Sequence, residues 1–230
     1  MSTLENGLIQ LQKNDQNVNA LLSARFDTIV NLFNRYTCEI ELFNKTHGLV
    51  KIKTKEEFIV KHILDSLAPL TEILKALDGI ALPVIADAGS GAGLPGIPLA
   101  ITMPKAKLKL IERMEKRADF LRNVQAVLQL NNAEVLQTEV ERINENQFDL
   151  ICFRAFKPLD SDEKNDKKFL TKLFSLLKPN GIIAAYKGRK EKILQELDAI
   201  GSLAYNAQII PCPVPFLDEE RHLLLIGKHR

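Results

Sequence analysis

The stretch Asp87-Ala88-Gly89-Ser90-Gly91-Ala92-Gly93-Leu94-Pro95-Gly96 decides how the rest of the chain is read. It follows Val84-Ile85-Ala86, an apolar run that reads as a buried strand, and it leads into a helix beginning over Gly96 to Met103. Four glycines in ten residues carry a large entropic cost, so a turn this rich in them serves tight geometry or the close approach of a ligand. A strand, a glycine turn and a helix in that order place the turn at the carboxyl end of a sheet strand, where open α/β sheets bind ligands.

Working outward from the loop, short apolar runs alternate with helical patterns. Leu108 to Ile111 reads as a strand and Lys116 to Leu130 as a helix, with Phe120, Leu121, Val124 and Leu128 on its apolar face. Glu134 to Gln137 and Phe148 to Phe153 read as further strands, and a helix is expected around Phe169 to Leu177. Gly181 to Tyr186 is a fifth strand and Glu191 to Leu197 a helix; 203–210 and 221–227 read as two final strands. This alternation predicts a mostly parallel sheet covered on both faces. The last two strands have no helix between them and predict an antiparallel edge hairpin.

Residues 1–80 carry few strand signals and read as a helical N-terminal subdomain, with 81–230 as the sheet domain. Leu21, Leu22, Phe26, Ile29, Val30, Phe33 and Tyr36 recur at helical spacing, which predicts one long amphipathic helix. A second helical pattern runs from Phe58 to Leu70; Thr54 and Glu57 form a candidate capping box for it, and Pro69 breaks or kinks it.

Composition narrows the class. The 230 residues are 46% hydrophobic and 26% charged, the balance of a globular protein with a full core. A net charge of +2 permits a nucleic-acid partner without requiring one. Cys38, Cys152 and Cys212 stand far apart and form no metal-ligand spacing, so reduced thiols and no metal are expected. Met1 to Gln12 has no signal-peptide pattern, and no apolar run is long enough to span a bilayer. A cytoplasmic protein is expected.

The loop admits two ligands. Gly91, Gly93 and Gly96 spell GxGxxG, which alone is weak evidence for a dinucleotide. Asp87 separates the cases. A carboxylate at the start of the loop repels a pyrophosphate but suits the amino group and sulfonium of S-adenosylmethionine. Glu112, at the end of the second strand, suits a ribose hydroxyl pair with either ligand. The alternatives are a turn that serves packing alone and, for Glu112, a solvated carboxylate ahead of a helix.

The same residues resemble the RsmG (GidB) family of ribosomal RNA methyltransferases. The landmarks are His62-Ile63-Leu64-Asp65-Ser66-Leu67, the glycine loop through Leu99, Lys116-Arg117 with Phe120-Leu121, Phe148-Asp149 leading to Arg154-Ala155-Phe156, Lys187-Gly188, and Glu220-Arg221-His222-Leu223. They lie in family order over roughly 55–227. The resemblance implies a class I methyltransferase fold, Rossmann-like with a seven-stranded sheet and a helical N-terminal extension. It implies methyl transfer from S-adenosylmethionine to N7 of one guanine in the decoding-region loop of 16S rRNA in the small ribosomal subunit. It places Gly89 and Leu94 against the cofactor with Asp87, Gly91 and Gly93, sets Val140 and Glu141 beside the adenine, and puts Arg154 at the rim. Glu112 stands where the family usually has aspartate, which keeps the ribose role. Glu139 stands where many members have arginine, so any RNA contact from that position falls to other residues here.

Guanine N7 carries a lone pair and no proton, so no general base is needed, and the enzyme contributes position and oriented dipoles. Arg154, Lys187, Arg189 and Arg221 are the candidates for holding a base edge or phosphate. Each has a plainer reading: Arg154 as partner of a core carboxylate, Lys187 and Arg189 as a solvated helix start, Arg221 and His222 as a strand edge. His62 and Asp65 likewise read as a structural histidine and a cap or ion-pair partner. Residues 160–168 read as a charged, solvated loop and helix start. Lys105, Lys107 and Lys109 add modest positive charge along one strand approach. The expected partner is small-subunit RNA rather than DNA or a membrane, and the expected state is monomeric. A small-molecule methyltransferase on the same fold, a nicotinamide-dependent oxidoreductase and a non-catalytic RNA-binding assembly protein are the competing functions.

Overall fold

The computed structural model describes residues 1–154, 163–201 and 206–227, with the side chain of His47 and those of 163–166 excepted. Part of the RAF segment (Ala155 and Phe156), most of the charged stretch 160–168 and the first residues of 203–210 therefore lie outside the described residues or side chains.

The sheet has seven strands in the order β3-β2-β1-β4-β5-β7-β6. Their ranges are β1 Val84–Ala88, β2 Lys107–Ile111, β3 Ala133–Leu136, β4 Phe148–Arg154, β5 Leu177–Lys187, β6 Ala207–Pro211 and β7 His222–Gly227. β1 to β5 pair in parallel, and β7 pairs antiparallel with both β5 and β6. The expected terminal hairpin forms, with β7 inserted between β5 and β6 so that β6 becomes the edge. That suits their burial: the core of β7 is fully apolar, while β6 is only partly buried.

Helices α1 Thr3–Gln12, α2 Gln16–Ser23 and α3 Phe26–His47 open the chain. The single long helix expected over Leu21 to Tyr36 is thus divided at Ala24-Arg25. Ser2 and Glu5 cap α1 reciprocally, and Asp15 caps α2 through Asn17 and Val18. Next come α4 Lys55–Phe58, a π-helical turn Ile59–Leu64, α5 Asp65–Leu67 and α6 Leu70–Ala76, with Pro69 at the break between the last two. The Thr54 hydroxyl accepts from the Glu57 N–H, but the Glu57 carboxylate reaches past Thr54 to the Lys53 N–H, so half of the expected capping box forms. The remaining helices are α7 Gly96–Thr102, α8 Glu115–Leu128, α9 Glu163–Leu176 and α10 Lys190–Ile200.

Alternation along the strands sorts two cores. Ile85, Leu108, Leu110, Leu150, Cys152, Ala184, Tyr186, Leu223 and Leu225 pack with the N-terminal helices, α7 and α8. Ala86, Ala88, Ile111, Ile151, Phe153, Ile183, Ala185 and Leu224 pack with α9 and α10. Leu4, Leu8, Phe33 and Tyr36 belong to the first cluster, so the helices of 1–80 share a continuous core with one face of the sheet. The side-chain parity of β1 and β4 puts Asp87 and Arg154 on that same face.

Candidate functional site

β1 ends at the glycine loop, and the main chain of β2 anchors it there. Gly89 and Ser90 both donate to the Ile111 carbonyl. Gly89, Gly91 and Gly93 all take positive φ, which fits the glycine-rich sequence. The glycines then divide by purpose. A Cβ on Gly96 would meet Leu110 at 2.3 Å and Asp87 Oδ2 at 2.6 Å, and one on Gly93 would meet Ile97 at 2.4 Å. These two glycines let α7 close on the sheet. A Cβ on Gly91 would meet nothing nearer than the Gly89 carbonyl oxygen at 3.9 Å. Gly91 therefore faces open space, and packing does not account for it.

Asp87 is fully buried beneath this loop. Its Oδ2 accepts from the Gly96 N–H at 2.9 Å, while its Oδ1 is buried with no hydrogen-bond partner. Burial pushes its pKa up to about 7, against the Gly96 N–H, the neighbouring Ser90 hydroxyl and the Arg154 guanidinium, which pull it down. A buried carboxylate oxygen without a donor is costly unless a ligand supplies one. Glu112, just beyond β2, closes the loop from the other side: Oε2 accepts from the Gly91 N–H at 2.9 Å and Oε1 from the Met114 N–H at 2.8 Å. Each oxygen keeps a second lone pair, so a ribose hydroxyl would join bonds already made. Leu94 is buried in the core, while Gly89 and Gly91 are half-buried. Val140 sits in a 3₁₀ turn, Val140–Arg142, and packs in the cluster that holds Ala88 and Ile111; Glu141 beside it is exposed. Glu139 pairs with exposed Arg142 at 3.2 Å. A buried carboxylate with one unpartnered oxygen, beneath a loop whose Gly91 faces open space and on which no cation is described, fits a cationic ligand such as S-adenosylmethionine.

Sequence reasoning missed Tyr36. Its hydroxyl, on α3, donates to the Ala92 carbonyl at 2.6 Å and fixes the loop from the helical side. The helical spacing showed that Tyr36 is buried; nothing in the sequence names its partner, which is 56 residues away.

A second cluster stands at the end of β4, also facing the N-terminal helices. Arg154 donates through Nη1 to Asp65 Oδ2 at 2.8 Å and to the Lys61 carbonyl, and its Nη2 meets His62 Nδ1 at 2.6 Å. Arg221, one residue before β7, donates through Nε to Asp65 Oδ1 at 3.0 Å and also pairs with Glu219. Asp65 thus bridges two guanidinium groups. His62 is held neutral, its pKa lowered to about 4 by burial and then by the Arg154 charge. Lys187 lies elsewhere: it projects from the opposite face of the sheet, pairs with Glu196 of α10 at 2.5 Å and sits 6.0 Å from the Phe153 ring. Arg189 is the N-cap residue of α10 and is exposed.

The sheet order, the glycine loop and the acidic residues at the ends of β1 and β2 define a class I, Rossmann-like, S-adenosylmethionine-dependent methyltransferase. Solved structures agree on the fold. The chain superposes on an S-adenosylmethionine-dependent methyltransferase of Methanococcus maripaludis with a TM-score of 0.54 at 18% identity, over 84% of this chain and 92% of that one. It superposes on a tRNA (m1A58) methyltransferase of Aquifex aeolicus with a TM-score of 0.52 at 13% identity, over 70% of this chain and 69% of that one.

Within that class, the family model for rRNA small subunit methyltransferase G matches residues 29–224, and the chain belongs to this family. It is 38% identical to ribosomal RNA small subunit methyltransferase G of Treponema denticola, over 98% of this chain and 95% of the relative. It is 37% identical to the protein of that name from Francisella tularensis, over 82% of this chain and 83% of the relative.

Proposed function

We infer that the chain transfers a methyl group from S-adenosylmethionine to N7 of a guanine in the decoding-region loop of 16S rRNA. The observation that carries the cofactor half is the unpartnered Asp87 oxygen beneath a loop in which Gly91 faces open space. Family membership supports the RNA half, through relatives named for the small-subunit ribosomal RNA. Asp87, Gly89, Gly91, Gly93, Leu94, Glu112, Val140 and Glu141 would hold the cofactor, with Arg154 at the rim.

When bound, S-adenosylmethionine supplies a methyl group made electrophilic by the sulfonium. Everything else falls to the chain's own groups. Glu112 holds the Gly91 amide, and with it the loop, in one geometry. Asp87 offers an acceptor that a cationic ligand draws toward the ionised form. The guanine N7 lone pair needs no base, so the side chains near it orient the ring and balance charge rather than move a proton. An unstacked base from an RNA loop is the form such a site accepts. Arg154 and Arg221 would take its edge or a phosphate.

We assign the protein to the cytoplasm as a monomer acting on small-subunit RNA, not on DNA or a membrane. Free Cys38, Cys152 and Cys212 support a reducing compartment. The test is transfer of labelled methyl to small subunits lacking native modification, with the product nucleoside identified. Label in 7-methylguanosine of 16S rRNA is expected. Label on a small molecule alone, or cofactor binding without transfer, would replace this function with a small-molecule or non-catalytic one.

A further inference from the structure

Asp65 lies on a short helix, 22 residues before Asp87 in sequence, yet its carboxylate is where two distant parts of the sheet meet. One oxygen takes Arg154 from the end of β4 and the other takes Arg221 from the start of β7, at 2.8 and 3.0 Å. Its side chain is 7% exposed, against 16% for Arg154 and 24% for Arg221, so the carboxylate is the inner member and the arginines are nearer to solvent. The π-helical turn Ile59–Leu64 precedes it and aims the Lys61 carbonyl and the His62 ring at the same guanidinium. Such turns are rare and recur at functional sites. Three acceptors from one helical segment thus fix Arg154, and one of them also fixes Arg221.

Charge accounting shows what this arrangement is for. Two guanidinium groups share one buried carboxylate, a neutral imidazole lies against Arg154, and Glu219 pairs with Arg221 from the outer side, so the cluster is balanced in charge while the inner carboxylate alone joins the two arginines. Glu219 on Arg221 and Glu57 on Lys61 lie on the outer side of the cluster. A carboxylate buried only for stability is a weak investment, because well-packed apolar residues commonly serve as well. A carboxylate that holds two arginine forks in register has a use when a planar acceptor must be met by both.

We propose that Asp65 is a positioning residue for methyl transfer, holding Arg154 and Arg221 as one two-armed clamp on the ribonucleotide. The inference rests on the RNA-methyltransferase reading above. Asp65 does not touch substrate; it sets where the arginines stand.

The experiment compares wild type, Asp65→Asn, the variant carrying Arg154→Ala with Arg221→Ala, and that variant with Asp65→Asn added. Methyl transfer to unmodified small ribosomal subunits and calorimetric affinity for S-adenosylmethionine are measured together. Asp65→Asn is expected to lower kcat/KM for the subunit by roughly 10- to 100-fold, with cofactor affinity kept within about twofold. In the double-arginine background the same substitution is expected to cost nothing further, because its only route to the substrate is already gone. A role in folding alone would multiply through every background. Should Asp65→Asn not fold, Arg221→Lys keeps the charge and breaks the fork; it is expected to lose about tenfold in kcat/KM with cofactor affinity retained. Wild-type turnover in Asp65→Asn or Arg221→Lys overturns the proposal, as does a fully multiplicative loss in the triple variant. A wild-type protein that binds the cofactor and methylates no RNA overturns the functional reading, and this inference with it.

Discussion

The glycine loop and the arginine cluster each centre on a buried aspartate, and the two are built in opposite ways. Asp87 has one oxygen on a backbone N–H and one with no partner. Asp65 has both oxygens taken by guanidinium groups. The first carboxylate is incomplete and calls for a cationic donor from outside. The second is complete, and the groups it holds are what remains on offer. One region is a receptor for a small cation and the other holds two guanidinium groups in fixed register, which is the division a cofactor and an RNA require.

The largest effect expected is on the incomplete side. Asp87 stays protonated in the fold up to about pH 7, while the unfolded chain ionises it near 4. Its contribution is whole below pH 4 and is lost as pH rises through 7, by up to about 4 kcal/mol. His62 acts in the reverse direction: its lowered pKa contributes stability above pH 6.5 that is lost as pH falls through 4. Asp87→Asn removes only the first dependence. Without cofactor, wild type is expected to lose stability relative to this variant between pH 4 and 7.5 in denaturant titrations. Parallel curves would mean that Asp87 is not a strained acid.

Gly91→Val comes next. It places a branched side chain at positive φ in the open space above the loop, and a loss of at least about 100-fold in cofactor affinity is expected by calorimetry. An unchanged affinity in a folded variant would move the cofactor elsewhere. Arg154→Ala is expected to lower subunit methylation by about 10- to 100-fold at unchanged cofactor affinity. Full activity would remove Arg154 from the site. The smallest effect belongs to Lys187→Ala. Lys187 pairs with Glu196 across the sheet from both clusters, so turnover within about threefold of wild type is expected, with the loss appearing in melting temperature. A collapse of turnover with stability intact would bring Lys187 back to the substrate.

Much of this was legible in the sequence, and the gaps have physical causes. The loop, its strand and its helix were explicit because glycine and β-strand patterns are local. The separation of Lys187 from Arg154 follows from strand parity in the β4–β5 register, but the pairing of Arg154 with Arg221 follows only once β7 is known to lie between β5 and β6. That insertion is a long-range choice no local pattern encodes. The break at Ala24-Arg25 has neither proline nor glycine to mark it. By contrast, α1 is marked locally by Ser2, Glu5 and the apolar spacing of Leu4, Leu8 and Leu11. Tyr36 and Asp65 act through partners 56 to 156 residues away, beyond the reach of periodicity.

The division between the two regions is tested most directly by measuring cofactor affinity and subunit methylation side by side on Gly91→Val and Arg154→Ala. The account predicts a crossed pattern: Gly91→Val loses the cofactor, while Arg154→Ala binds it normally and fails to methylate. Both variants losing cofactor affinity alike, or Arg154→Ala methylating at the wild-type rate, would contradict it.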